Sequence, residues 1–304
     1  SDADLVAYWL SVGMIGSAGY FVGDIARAQP PSGASAPAEK AGSGKGAPAE
    51  KAGSGKGASL TSPWQLPGGL ASNGWAIGGD RSANQRGMLV ANPHFPWEGE
   101  LRFSEQHLTI PGDLDVYGSQ LLGLPLVSIG FTAHHAWTHT FSSSSRFVLY
   151  RLALDPADPT KYKYGDETKS LTAREHTIEV RGKDGALAKV TRTLYRSHYG
   201  PIVANERLAW SKQHAFAIRD VTRSKSTFEQ YLAMIRARSL DEFRGAFATH
   251  QSAGFVNSMY ADADGNAWYI DGSAVPDLPA GGLGAWRLGL ATIPELKAAW
   301  DNGA

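Results

Sequence analysis

Ser72 is the residue of this chain whose position most invites chemistry, since a flexible, repetitive tract precedes it and a strand-like segment begins there. A serine hydroxyl is a weak nucleophile unless a base removes its proton. If the Ala71–Ser72 bond were cut, Ser72 would carry a free α-amine, a group that titrates near ~8 and is partly neutral at working pH. A single cut would therefore place a nucleophile and its base on one residue.

Such a cut needs no protease, because the Ser72 hydroxyl could attack the carbonyl of Ala71 and form an ester that water then opens. Small residues surround the bond, namely Gly68, Gly69 and Gly74. They would allow the backbone to strain into that attack.

The tract before Ser72 is an exact tandem repeat, in which residues 36–46, "APAEKAGSGKG", recur at 47–57. A segment of Ala, Gly, Ser, Pro and Lys buries too little apolar surface to offset its ordering entropy, so disorder is predicted. Both a plain linker between domains and an excisable spacer are consistent with this composition.

Composition narrows the class of protein. The 304 residues include 29 basic and 29 acidic side chains, and this balance argues against an electrostatic nucleic-acid binder. No Cys is present, which excludes disulfides, thiolate metal sites and cysteine nucleophiles.

The uncharged stretch from Leu5 to Gly23 is long enough for a membrane span. Its glycines and serines, and the acidic residues before it, instead favour a packed amphipathic helix.

The pattern after Ser72 predicts an α+β chain in which antiparallel sheet dominates. Short β-branched and aromatic runs predict strands, and hairpins are expected to turn at Asp184-Gly185 and around Asp264-Gly265-Asn266. Two capping boxes, Thr227 with Gln230 and Ser239 with Glu242, predict two helices.

Two metal sites are also conceivable. His134, His135 and His139 contain a pair four residues apart, as on a metalloprotease helix, but the run "GFTAHHAWTHTF" alternates like a strand. "DADGN" resembles half of a calcium loop, and its bidentate Glu is absent, so a hairpin turn explains it better. Packed or hydrogen-bonding histidines are the favoured interpretation of the first motif.

Three motifs together carry a family resemblance: "SNGWAIGGDRSANQRGMLVANPHFPW", "HLTIPGDLDVYGSQLLGLPLVSIGFTAHHAWTHT" and "YADADGNAWYID". They resemble the β subunit of the penicillin acylase family of N-terminal nucleophile hydrolases, and within it most closely the acyl-homoserine-lactone acylases. The resemblance covers roughly residues 72–275. It implies an αββα sandwich, periplasmic or secreted maturation, and hydrolysis of an acyl amide. It also implies an α-subunit tail over 1–30, a spacer over 31–71 and the first part of the β subunit over 72–304.

The resemblance assigns roles residue by residue. Ser72 is the nucleophile, with its freed amine as base, and His94 helps to hold that amine or a bridging water. Phe141 supplies a backbone N–H to the oxyanion hole, a donor typically worth ~3 kcal/mol. Phe95 and Phe255 line an apolar acyl pocket.

The implied substrate is a small acyl amide, an N-acyl-homoserine lactone or a related acylated amine, with penicillin-type substrates as a further option. The implied partner is the α subunit of the same precursor in an αβ heterodimer, with no nucleic acid, membrane, metal or other cofactor required.

One feature departs from the family. Its second oxyanion donor is an Asn in an "NSND"-like motif, and no such motif occurs before Ala304. The chain is therefore expected to be an internal piece of a precursor, inactive by itself. The alternative hypothesis is a non-catalytic β-rich fragment or binding module.

Overall fold

A computed structural model describes residues 21–31, 71–99, 101–144, 146–206, 208–220 and 226–276. These residues form two compact units, one from the described parts of 71–146 and 226–276, the other from those of 21–31 and 147–220. The division into 1–30, 31–71 and 72–304 stays a prediction, because much of the first two segments, including the tandem repeat, lies outside the described residues.

The described helices and strands follow one another along the chain in this order: α1 (Val22–Arg27), β1 (Ala71–Ile77), β2 (Met88–His94), β3 (Phe103–Ile110), β4 (Leu114–Leu121), β5 (Ile129–Phe131), β6 (His135–Phe141), β7 (Phe147–Asp155), β8 (Asp158–Tyr164), β9 (Glu167–Ser170), β10 (Thr172–Arg181), β11 (Leu187–Arg196), β12 (Ile202–Val203), β13 (His214–Asp220), α2 (Thr227–Arg236), α3 (Leu240–His250), β14 (Val256–Asp262) and β15 (Ala267–Asp271). Strands outnumber helices in the described residues, which is compatible with the predicted sheet-rich α+β class.

The first unit is built in layers around a six-stranded antiparallel sheet of order β15-β14-β6-β5-β4-β3. Side chains of a strand alternate between the two faces of its sheet. On β6, Thr138 faces Gly74 of the β1–β2 hairpin, whereas Trp137 is fully buried and packs against Phe243 of α3. The hairpin therefore covers one face of the sheet and the helices cover the other.

The main core of this unit lies between the sheet and the helices. Its buried residues are Val116, Leu126, Val127, Trp137, Met234, Ile235, Ala237, Phe243, Ala246, Phe247, Ala253, Val256 and Tyr260. Burying a large apolar side chain of this kind stabilises a fold by roughly 1.5–3 kcal/mol. The helices thereby fix β6 and β14, the two strands on which the β1–β2 hairpin rests.

The second unit contains an antiparallel sheet of order β12-β13-β7-β8-β9 and a separate hairpin, β10–β11. In β7 most alternate residues are buried, the period expected of a strand with one face on a core. The segment 21–31 belongs to this unit, and Phe21 packs edge-on against Phe147 with ring centroids 5.1 Å apart.

Both predicted hairpin turns are confirmed. β10 and β11 pair from Thr172↔Arg196 to Arg181↔Leu187, with Gly185 at φ 81° in the turn between them. β14 and β15 turn through Gly265 at φ 89°. Positive φ is the conformation that glycine adopts without a steric penalty.

The two predicted capping boxes have different outcomes. The Ser239 hydroxyl accepts the N–H of Glu242 at 3.3 Å, so this N-cap is confirmed. The box at Thr227 is wrong, because the helix already includes Thr227. Gln230 instead uses its Oε1 to accept the backbone N–H of Ser252 at 2.6 Å. It thereby ties α2 to the segment that leads into β14.

Within the described residues, the helices are all too short or too polar to cross a bilayer. The uncharged stretch that was considered as a membrane span lies outside the described residues from Leu5 to residue 20.

Candidate active site

Ser72 is the second residue of β1, and it is half-buried. Its hydroxyl donates a hydrogen bond to the carbonyl oxygen of Ala71 at 2.5 Å. Across the hairpin it faces Pro93. The hydroxyl therefore lies against the carbonyl group that self-cleavage would attack.

His94 ends β2 directly opposite Ala71. Its Nε2 is 3.3 Å from Nδ2 of Asn73, and with the amide as donor the neutral ring carries its proton on Nδ1. The alternation of the hairpin puts His94 and Asn73 on the outer face and Ser72 on the inner face. His94 thus lies opposite Ala71, on the other face of the hairpin from the Ser72 hydroxyl.

Asn73 was not foreseen as a site residue. The hairpin register could have identified it, because Asn73↔Asn92 and Ala71↔His94 share one face of the two-stranded ribbon. Diagonal neighbours on one face are within reach of long side chains.

The three predicted phenylalanines lie in one row. Phe141 is between the other two, stacked on Phe95 with ring centroids 5.9 Å apart and on Phe255 at 6.1 Å. Phe103, which the sequence did not indicate, extends the row by an edge-on contact to Phe95 at 5.0 Å. Phe95, Phe141 and Phe255 are all half-buried. The row therefore provides an apolar surface suited to an acyl chain.

The loop that follows Phe141 is anchored by Asp271 of β15. Its Oδ2 accepts the hydroxyl of Ser142 at 2.8 Å and that of Ser144 at 2.5 Å. Burial raises the pKa of the Asp271 carboxyl, but the hydrogen bonds from Ser144, Ser273 and Ser142 outweigh burial, and the pKa lies below its ordinary value. A charged carboxylate therefore holds this loop at neutral pH.

Two of the three histidines considered as metal ligands, His135 and His139, are packed in the core of the first unit, whereas His134 is exposed. His135 is stacked on Tyr260 at 5.2 Å, and His139 Nδ1 is 2.8 Å from the Ser258 hydroxyl. In the part of the chain that the structure describes, no three His, Asp or Glu side chains lie close enough together to hold a metal ion. The carboxylate of Asp262 accepts the backbone N–H groups of Asp264 and Asn266, as the cap of a hairpin turn does.

Comparison with known proteins identifies the class of proteins to which this chain belongs. The sequence profile of the penicillin amidase family matches residues 3–300. The solved structure of a thermostable penicillin G acylase from Alcaligenes faecalis superimposes with a TM-score of 0.57 and 23% identity. That superposition covers 68% of this chain and 36% of the other, and it supports the fold alone.

Curated relatives give the same family at higher identity. Over 233 residues the chain is 42% identical to the acyl-homoserine lactone acylase PvdQ of Pseudomonas fluorescens (strain Pf0-1), covering 74% of this chain and 30% of that one. It is 38% identical to the aculeacin-A acylase of Actinoplanes utahensis, over 66% of this chain and 25% of that one. The chain thus spans less than a third of the length of these relatives, and it belongs to the penicillin amidase family.

Proposed function

We propose that this chain carries the nucleophile of an amide hydrolase whose serine becomes N-terminal by cleavage of its own precursor. The observation that carries the proposal is the contact between the Ser72 hydroxyl and the Ala71 carbonyl oxygen, 2.5 Å. After cleavage the freed α-amine of Ser72 acts as general base, next to the ring of His94. The serine oxygen then attacks the amide carbonyl of a substrate.

The reaction passes through an acyl-enzyme. Attack by Ser72 forms a tetrahedral oxyanion, towards which the Phe141 N–H donates, and such donors act where charge develops in the transition state. The amine of the substrate leaves with a proton, the acyl group stays on Ser72 as an ester, and water hydrolyses that ester. No metal or organic cofactor takes part in these steps.

The proposed substrate is an N-acyl-homoserine lactone or a related acylated amine. The row of Phe95, Phe141 and Phe255 supports an apolar acyl group, and the similarity to acyl-homoserine lactone acylases supports the amine side. We further propose that the mature protein is an αβ heterodimer in the periplasm or secreted. In the first unit the β1–β2 hairpin, the six-stranded sheet and the helices lie in successive layers. This arrangement supports a β, a β and an α layer of the proposed αββα sandwich.

Ser72→Ala tests the proposal, because one hydroxyl serves both maturation and turnover. Made in the full-length coding sequence, the variant should stay uncleaved by intact mass and lose deacylation by at least about 1,000-fold, as expected when a nucleophile is removed. Ser170→Ala, on the exposed strand β9 of the second unit, is the matched control and should behave as the parent chain. Cleavage of the Ser72→Ala chain at this bond would show that an external protease cuts it.

Ser72→Cys separates the nucleophile from the fold. A thiolate can replace the hydroxyl as attacking group, so partial cleavage at the same bond is expected. Cleavage of the cysteine variant that a thiol-blocking reagent stops would identify residue 72 as the attacking group. Cleavage that the reagent leaves unchanged would argue against it.

A further inference from the structure

Asn257, on β14, holds the end of β6 at the candidate oxyanion residue. Its Nδ2 donates to the carbonyl of Phe141 at 3.1 Å and to the hydroxyl of Thr140 at 3.0 Å. Its Oδ1 accepts the hydroxyl of Tyr269 at 2.8 Å. Both amide protons and the amide oxygen are therefore engaged, and only one orientation of the amide satisfies all three bonds.

The strand pairing gives the direction of the Phe141 N–H. Ser142 donates its N–H to the carbonyl of Phe255, on the side of β14. Successive N–H groups of an antiparallel strand point to opposite sides, so the Phe141 N–H points away from β14. On that side the β5 pairing covers only Ala136 and Trp137 of β6. The orientation of this N–H therefore depends on how firmly the backbone around Phe141 is held.

We propose that Asn257, oriented by Tyr269, is a positioning residue that fixes the Phe141 N–H for the oxyanion. This inference rests on the proposed function. Asn257 donates hydrogen bonds to the carbonyl of Phe141, whose N–H is the proposed oxyanion donor, and to the hydroxyl of the preceding residue, Thr140. Its loss therefore lets the donor rotate without removing any group that touches substrate. Displaced donors cost transition-state stabilisation and leave ground-state binding of the acyl chain intact.

The test measures kcat and KM on the cleaved enzyme prepared from the full-length coding sequence, with active sites counted by a serine-reactive sulfonyl fluoride. We expect Asn257→Ala to lower kcat per titrated site by about 10- to 100-fold, less than loss of a whole donor, with KM within about twofold. Tyr269→Phe removes only one hydroxyl, and its expected loss in kcat is about 2- to 10-fold.

Tyr269→Phe keeps the inference testable if the Asn257 variant misfolds. This second variant should fold, because the tyrosine is 59% exposed and its ring is kept. Tyr117→Phe, on β4 of the same sheet and 40% exposed, is the matched control and should leave kcat unchanged. A merely structural role would lower the number of titrated sites or the melting temperature without changing kcat per site.

The two possible failures are distinguishable. Full activity of the Ser72→Ala enzyme would remove the proposed function. An enzyme that depends on Ser72, but whose kcat per site is the same in Asn257→Ala and Tyr269→Phe as in the parent, would overturn this inference alone. A rise in KM without a fall in kcat would also overturn it, since it would assign Asn257 to substrate binding.

Discussion

Gly74 controls how closely β1 can approach the sheet that supports it. A Cβ built at this position lies 2.8 Å from Cγ2 of Thr138 and 2.9 Å from Cε of Met259. These separations are too short for real carbon contacts, so Gly74→Ala requires β1 or the Thr138 and Met259 side chains to move. We expect a loss of about 1–3 kcal/mol in the free energy of unfolding, the usual cost of overpacking, and slower cleavage after Ala71. Urea unfolding and intact mass over time measure the two effects.

Gly245→Ala is the control for that substitution. A Cβ at Gly245 meets nothing within 4 Å, and the residue is exposed on α3. Alanine is the better helix former by roughly 0.8–1 kcal/mol, so this variant should be more stable than the parent. If Gly74→Ala were as stable as Gly245→Ala, the close approach of β1 would not be what glycine provides.

The sequence could suggest candidate residues for the site, but not what holds them. Ser72, His94 and the phenylalanines are candidates because the motifs around them resemble a known family. The sequence predicts that Gly74 lets the backbone strain into self-cleavage, whereas the structure shows it where β1 closely approaches Thr138 and Met259. Asn257 reaches Phe141 from a strand 116 positions further along the chain. Such partners depend on strand register, which local periodicity does not specify.

In β6, the alternation of side chains between the two faces of the strand determines where His135 and His139 lie. The spacing of His135 and His139 suggested metal ligands on a helix, but the strand-like alternation of the run was the better guide. Residues i, i+2 and i+4 of a strand share a face, so both histidines accompany Trp137 into the core against the helices. Burial makes them structural groups whose protonation opposes folding.

These buried histidines should make stability depend on pH. Burial lowers the pKa of both His135 and His139 to about 4, against about 6.5 in an unfolded chain. Between these values the unfolded chain binds more protons, so stability is full above about pH 6.5 and is lost as the pH falls towards 4. The free energy of unfolding should fall by up to about 1.4 kcal/mol per pH unit for each histidine.

Urea unfolding between about pH 7 and about pH 5 measures this dependence. His139→Gln keeps a group that can bond Ser258 but cannot titrate, so it should remove the His139 part of the pH dependence and leave the His135 part. An equally steep dependence in the variant would assign the effect to other groups.

Part of the chain that precedes the Ala71–Ser72 bond packs into a unit formed mainly by residues that follow this bond. In the second unit, the carbonyl of Asp24 accepts the N–H of Ala204 at 3.0 Å and its carboxylate accepts the amide of Asn205 at 2.9 Å. Gln29 donates to the carbonyl of Thr193 at 3.0 Å. Phe21 is only 5% exposed. Cleavage at Ala71–Ser72 removes none of these contacts.

We therefore expect the two pieces to stay together after cleavage. They should co-elute in size-exclusion chromatography under native conditions and separate on a denaturing gel. Phe21→Ala removes roughly 3 kcal/mol of packing, so the dissociation constant of the cleaved pair should rise by about 100-fold. Val22→Ala, at a neighbouring residue that is 56% exposed, is the matched control and should change little. If the two pieces separated under native conditions after cleavage, residues 21–31 would not hold them together. Equal affinities in the two variants would show that the Phe21 contact contributes nothing to the association of the pieces.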